Sequence, residues 1–119
     1  MNLQYLEIVT NDVDAVCATY SRVHGVIFGD PDPNLGNART AQMGGNDSGA
    51  KVGVRHPMHD QERTVVRPYT LTSDLVAAVD SAVKDGASVA VPPMRLGGGL
   101  GSCAIVMFGE IESGFWQVE

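Results

Sequence analysis

Five side chains in this 119-residue sequence have the types and spacing to act on a small molecule: Tyr5, Glu7, Arg67, Tyr69 and Trp116. Strict alternation from Tyr5 to Val9 puts Tyr5, Glu7 and Val9 on one side of a strand and Leu6 and Ile8 on the other. Laying Asp74 on Asp12, an offset of 62, superposes residues 71–75 on residues 9–13 and carries the same face to Arg67, Tyr69 and Leu71. Near the C-terminus Trp116 shares a face with Gly114. The set supplies one carboxylate, one guanidinium and three aromatic rings in apolar surroundings. Such a combination holds a small organic molecule by stacking and a few directed polar contacts.

Two chemistries are open to these residues. In one, Arg67 and Tyr5 give polar contacts and Tyr69 and Trp116 stack on a ligand. In the other, a desolvated Glu7 is the general base on a carbon acid or epimerisable centre, with Arg67 stabilising the developing oxyanion. A structural bridge between Glu7 and Arg67 accounts for the two charges equally well, because buried charges need partners in either case. The remaining reactive types carry less. His56 and His59 stand near Asp60 and Glu62 in a polar segment, where a solvated linker gives the imidazoles nothing to orient them on a metal. His24 falls at a helix end and suits the local dipole. Gly97, Gly98 and Gly99 follow no strand-to-helix phosphate pattern and read as a turn or lid edge. Cys17 and Cys103 read as buried free thiols.

The elements that must position these groups come in two similar sets. Residues 5–10 read as a strand stopped by Asn11 and Asp12, which can cap a helix starting at Val13. Val13, Val16, Cys17, Tyr20 and Val23 form one helical stripe that ends at Gly25. Strands are predicted at 26–28, 38–43 and 51–55, with a loop at 29–37 and a turn at 44–49. The order then repeats: a strand at 65–72, a helix with Leu75, Val76, Val79, Ala82 and Val83 ending at Gly86, and strands at 88–91, 102–108 and 113–118. Pro92 and Pro93 are expected to stop the strand before them, and the glycines of 95–101 to make a mobile connection. The expectation is an α+β chain, one domain over 1–119, with module one at about 1–56, a linker at 57–64 and module two at 65–119. Each module is βαβββ; together they form a curved mixed/antiparallel sheet around a cleft, with helices on the outer face.

Composition sets the outer bounds. A hydrophobic fraction of 44% with a mean hydropathy of −0.00 describes a chain that folds. The net charge of −6 disfavours nucleic acid and anionic lipid as partners. The N-terminus has no signal-peptide pattern and no run reaches membrane-spanning length, so a soluble, cytoplasmic protein is expected, with no membrane partner.

The paired modules, the segment 19–29, the run Ala-Ser-Val-Ala-Val-Pro-Pro-Met at 87–94 and the ending Gly114-Phe115-Trp116-Gln117 resemble the glyoxalase, bleomycin-resistance and extradiol-dioxygenase superfamily, the vicinal oxygen chelate fold. The resemblance spans nearly the whole chain. It implies a homodimer and a small organic ligand, with the cleft completed within one chain or across two. It does not choose among lyase, isomerase, dioxygenase and drug-sequestering members. Metal-dependent members carry histidine, glutamine or glutamate at four positions. These match Tyr5, Arg67, Gly114 and a residue near Gly53, a set without divalent-ion donors of the usual kind. The expectation is therefore a metal-independent small-molecule-binding protein that needs no cofactor. The alternatives are a lyase or isomerase using Glu7, or a metal-dependent glyoxalase-like enzyme if the ligand register shifts toward Glu7, Glu110 or Glu112.

Overall fold

A computed structural model describes residues 1–44 and 49–119, so the predicted turn at 44–49 lies mostly outside the described residues. The chain is α+β, with two α-helices among the described residues and a seven-stranded mixed sheet. It divides into two compact units, Tyr5–Val66 and Arg67–Glu119, the second including Met1–Gln4.

The first unit takes most of β1 (Leu3–Val9), then α1 (Val13–His24), β2 (Arg39–Gln42) and β3 (Lys51–Arg55). β3 runs parallel to β1, with Glu7 opposite Gly53 and Val9 opposite Arg55, and antiparallel to β2. Alternation then separates two faces. Ile8, Ala41, Val52 and Val54 pack with Val13, Cys17 and Phe28 into an apolar core. Tyr5, Glu7, Gly53 and Arg55 belong to the face turned away from α1. Asp12 stands at the start of α1, yet its side chain makes no capping bond; the Thr10 hydroxyl accepts the Asp12 amide instead. Gly25 closes the helix at φ 69°, a left-handed conformation in which glycine carries no Cβ penalty. Val23, placed in the buried stripe by spacing, is exposed.

The predicted strand at 26–28 does not form. Val26 and Phe28 contribute side chains to the core while Ile27 points into solvent. The Gly29 amide, just beyond, reaches β2 and donates to the Thr40 carbonyl at 2.9 Å. Pairing resumes beyond the run as an isolated bridge, where the Asp32 amide donates to the Ala38 carbonyl at 2.9 Å, and Asp32 caps a short 3-10 turn at Pro33–Leu35 by accepting the Asn34 amide. Module one is therefore one strand shorter than predicted.

The second unit takes most of β4 (Val65–Leu71), then α2 (Leu75–Lys84), β5 (Ser88–Leu96), β6 (Gly101–Phe108) and β7 (Ile111–Gln117). β7 lies parallel to β4 and antiparallel to β6, and β5 pairs with β6 at the sheet edge. The Asn2 carbonyl accepts the Leu71 amide. At the repeat position of Asp12 the side chain does cap its helix: the Asp74 carboxylate accepts the Ala77 amide at 3.0 Å. The Gln117 side chain takes the Leu75 amide at 2.7 Å. Leu75, Val79, Ala82, Ala87, Ala104 and Val106 form the core beneath α2, whereas Val76 and Val83 are exposed.

β5 corrects the sequence expectation, because it continues through Pro92 and Pro93 to Leu96. An edge strand needs ladder bonds on one side only, and the register shifts between Val89 and Val91 and between Val91 and Met94 absorb the missing donors. The connection that was expected to start at Arg95 shrinks to a tight turn, with Gly98 and Gly99 at φ 68° and 72°.

Candidate functional site

The first unit builds its polar cluster on one guanidinium. Arg55, at the end of β3, is 4% exposed. Its Nε donates to Glu7 Oε2 at 2.8 Å, and Nη1 and Nη2 donate to the two Glu62 oxygens at 2.8 Å each. Nη1 also reaches the His56 carbonyl at 3.1 Å. Glu62 Oε1 accepts the Met58 amide at 2.7 Å, which ties the 57–64 segment to the end of β3. The Glu62 bonds, reinforced by the charge of Glu7 and opposed by burial, push the Arg55 pKa up. Gly36, at φ 65°, lets the chain pass close over the Arg55 stem; a Cβ there would meet Met58 Cε at 2.4 Å and Arg55 Cδ at 3.1 Å.

Tyr5 lies across Gly53. A Cβ on Gly53 would stand 1.6 Å from the Tyr5 hydroxyl oxygen, so the phenol occupies the space that a longer residue would need. Burial, and then the charge of Glu7, push the Tyr5 hydroxyl above the ordinary tyrosine value, and it stays a neutral phenol.

The second unit uses the same two devices in a different order. Arg67 donates through Nε and Nη2 to Glu112 Oε1, at 3.1 and 2.8 Å. Tyr69 sits opposite Gly114 in the β4–β7 register, with its ring over the glycine; a Cβ at Gly114 would meet Cδ2 at 2.3 Å. Trp116 meets the Tyr69 ring edge to face, with centroids 5.8 Å apart, and its Nε1 donates to the Leu100 carbonyl at 2.9 Å. That bond anchors the glycine turn between β5 and β6.

The structure thus buries all five residues named from sequence and gives each a defined neighbour within its own unit. Sequence reasoning missed Arg55 and Glu62. Arg55 was within reach, since the alternation Lys51, Gly53, Arg55 shares a face with Glu7. Glu62 was not, because nothing in a polar segment announces which carboxylate folds back. Of the other candidates, His24 is exposed against the edge of Tyr20, and Cys17 and Cys103 are buried free thiols. Among the described residues, no group of three or more His, Cys, Asp or Glu side chains is placed to hold a metal ion.

The four positions matched to a metal set do not suit a divalent ion. Arg67 is a permanent cation, Tyr5 is held protonated, Gly53 and Gly114 have no donor atoms, and tyrosine rings occupy the space above both glycines. Of the three carboxylates that a shifted register could bring in, Glu7 and Glu112 accept from arginines and Glu110 is exposed.

No family model matches this sequence, and no curated protein does. Solved structures do. Methylmalonyl-CoA epimerase from Mycobacterium tuberculosis superposes with a TM-score of 0.72 at 16% identity, covering 99% of this chain and 88% of that one. A methylmalonyl-CoA epimerase in complex with methylmalonyl-CoA and NH4+ gives 0.75 at 14% identity, covering 98% and 94%. A hypothetical protein from Bacillus halodurans gives 0.76 at 12%, covering 98% and 94%. Identities this low establish the fold and not the activity. The chain has the fold of methylmalonyl-CoA epimerases, which belong to the vicinal oxygen chelate superfamily that the sequence resembles.

Proposed function

We propose that this protein binds a small organic acid or acyl thioester without a metal: in one unit Arg67 gives a polar contact and Tyr69 and Trp116 give aromatic surfaces, and in the other Tyr5 gives a polar contact of its own. One observation carries the reading: each unit sets a buried arginine, held by a carboxylate, on the face turned away from its helix. Replacing a buried ion pair by well-packed apolar residues is often neutral or stabilising, so ion pairs kept at these buried positions support a role in recognition. Glu7 is a structural partner of Arg55 in this reading. The choice of acids and thioesters rests on the shared fold with an epimerase that holds methylmalonyl-CoA.

The test is a thermal-shift screen of small acids, thioesters including methylmalonyl-CoA, and cationic antibiotics, together with metal analysis of the purified protein. Stabilisation by an acid or thioester, lost in Arg67→Met, is the expected result. A stoichiometric bound transition metal overturns the metal-free reading.

A second reading, favoured by the shared epimerase fold, is an isomerase in which Glu7 is the general base that removes an α-proton. Exchange of the α-proton of methylmalonyl-CoA in D2O measures it. If Glu7→Gln abolishes exchange while thioester binding persists, the binding-only reading fails.

A further inference from the structure

The predicted strand at 26–28 leaves a cleft where it fails to form. Between α1 and this segment lies an open cleft of about 440 Å³, inside the range of small-molecule sites. Asp14, Cys17, Ala18 and Ser21 line it from α1, at the i, i+3, i+4, i+7 spacing of one helix face, and Phe28 and Arg39 line it opposite. Cys17 and Phe28 are buried and make an apolar wall.

Arg39 is held in place. Its Nε donates to the Gly29 carbonyl at 3.0 Å and Nη1 donates to Asp14 Oδ1 at 2.9 Å, while Nη2 makes no hydrogen bond among the described residues. The carboxylate side of this pair is weakly committed: the Asp14 side chain is 90% exposed, against 30% for Arg39. An exposed ion pair of this kind exchanges partners readily. A carboxylate that brought its own apolar body would gain the fixed guanidinium and the Cys17–Phe28 wall together, and Asp14 would return to water at little cost.

We propose that this cleft is a second ligand site, distinct from the residues of the proposed function, and that it takes a small branched or aromatic monocarboxylate with its carboxylate on Arg39. The second unit has no counterpart, since the α2 residue at the repeat position of Asp14 is Val76.

Titration of the 15N-labelled protein with 3-methylbutanoate, benzoate and acetate tests the site. The expected result is saturable shifts of the Cys17, Ala18 and Phe28 amides and the Arg39 side chain, with 3-methylbutanoate or benzoate binding more tightly than acetate. Arg39→Gln should weaken binding by about tenfold or more, as loss of a charge-assisted hydrogen bond does. Asp14→Asn should tighten it by about threefold, because it removes the competing carboxylate. A merely structural ion pair predicts no such opposition of sign. The proposal is overturned if no shifts saturate in either wild type or Asp14→Asn, if Arg39→Gln binds as well as wild type, or if acetate binds as tightly as the larger acids. Arg67→Met should leave these shifts unchanged, which separates failure here from failure of the proposed function.

Discussion

The two units solve the same problem with the charges exchanged. In the first, β1 carries the carboxylate, Glu7, and β3 the cation, Arg55, which serves Glu7 and Glu62 together. In the second, β4 carries the cation, Arg67, and β7 the carboxylate, Glu112. Each unit lays a tyrosine on a glycine of the parallel neighbouring strand, but from different places. Tyr69 is directly opposite Gly114, while Tyr5 is opposite Lys51 and leans along the strand to Gly53. A repeated fold therefore preserves the requirement, a neutralised charge beside a ring on a bare strand, without preserving which strand meets it.

The two units should differ most at their arginines. Arg55→Met leaves Glu7 and Glu62 facing each other's charge in a buried place. It should cost about 3–5 kcal/mol, the usual loss when one partner of a buried pair is removed. Arg67→Met should cost less, since the Glu112 side chain is 21% exposed and can recover some hydration, whereas that of Glu7 is 11% exposed. Urea denaturation of both variants measures the difference, and equal losses would show that the triad in the first unit has no special weight.

The glycines offer a finer test. Gly114→Ala and Gly53→Ala should each cost about 1–3 kcal/mol through overpacking. Gly114→Ala should be the worse, because its new Cβ meets the root of the Tyr69 ring, Cγ at 2.6 Å, which cannot swing aside. At Gly53 the contact is with the far end of Tyr5. In a double-mutant cycle, Tyr5→Leu should relieve much of the Gly53→Ala loss, and strict additivity would mean that the ring and the glycine are not coupled.

The Tyr5 phenol extends the contrast to pH. Its ordinary value is 10.0, and burial with Glu7 beside it holds the folded value higher. Above about pH 10 the unfolded chain releases this proton and the folded chain keeps it. Stability from this group is thus intact below that pH and falls above it, by at most about 1.4 kcal/mol per pH unit. Tyr5→Phe should flatten the alkaline decline in urea midpoint.

The smallest effect belongs to Asp14→Asn, which breaks an exposed ion pair with Arg39 and should shift stability by under about 1 kcal/mol. A loss as large as that of Arg55→Met would mean that the pair braces the fold and is not free to exchange.

The two-module plan is legible in the chain itself, because the 62-residue offset and the shift from strand to helix period repeat in Leu6 and Ile8, in Cys17 and in Leu75 and Val79. So are the faces: alternation alone puts Tyr5 and Glu7 together and Arg67 and Tyr69 together. The partners came only with the tertiary fold. Glu62 reaches Arg55 by a folding back of a polar segment that has no period to read, and Glu112 reaches Arg67 across 45 residues through a parallel register that no local pattern sets. Edge position likewise settled the fate of β5, since a proline is forbidden in a strand only where a ladder bond is required of it. At 26–28 the apolar run was real, but it serves the core through the Val26 and Phe28 side chains, and the backbone pairs only beyond it, at Gly29 and Asp32 among the described residues. Periodicity records which way a side chain faces; its contacts there are set by chain segments far away in sequence.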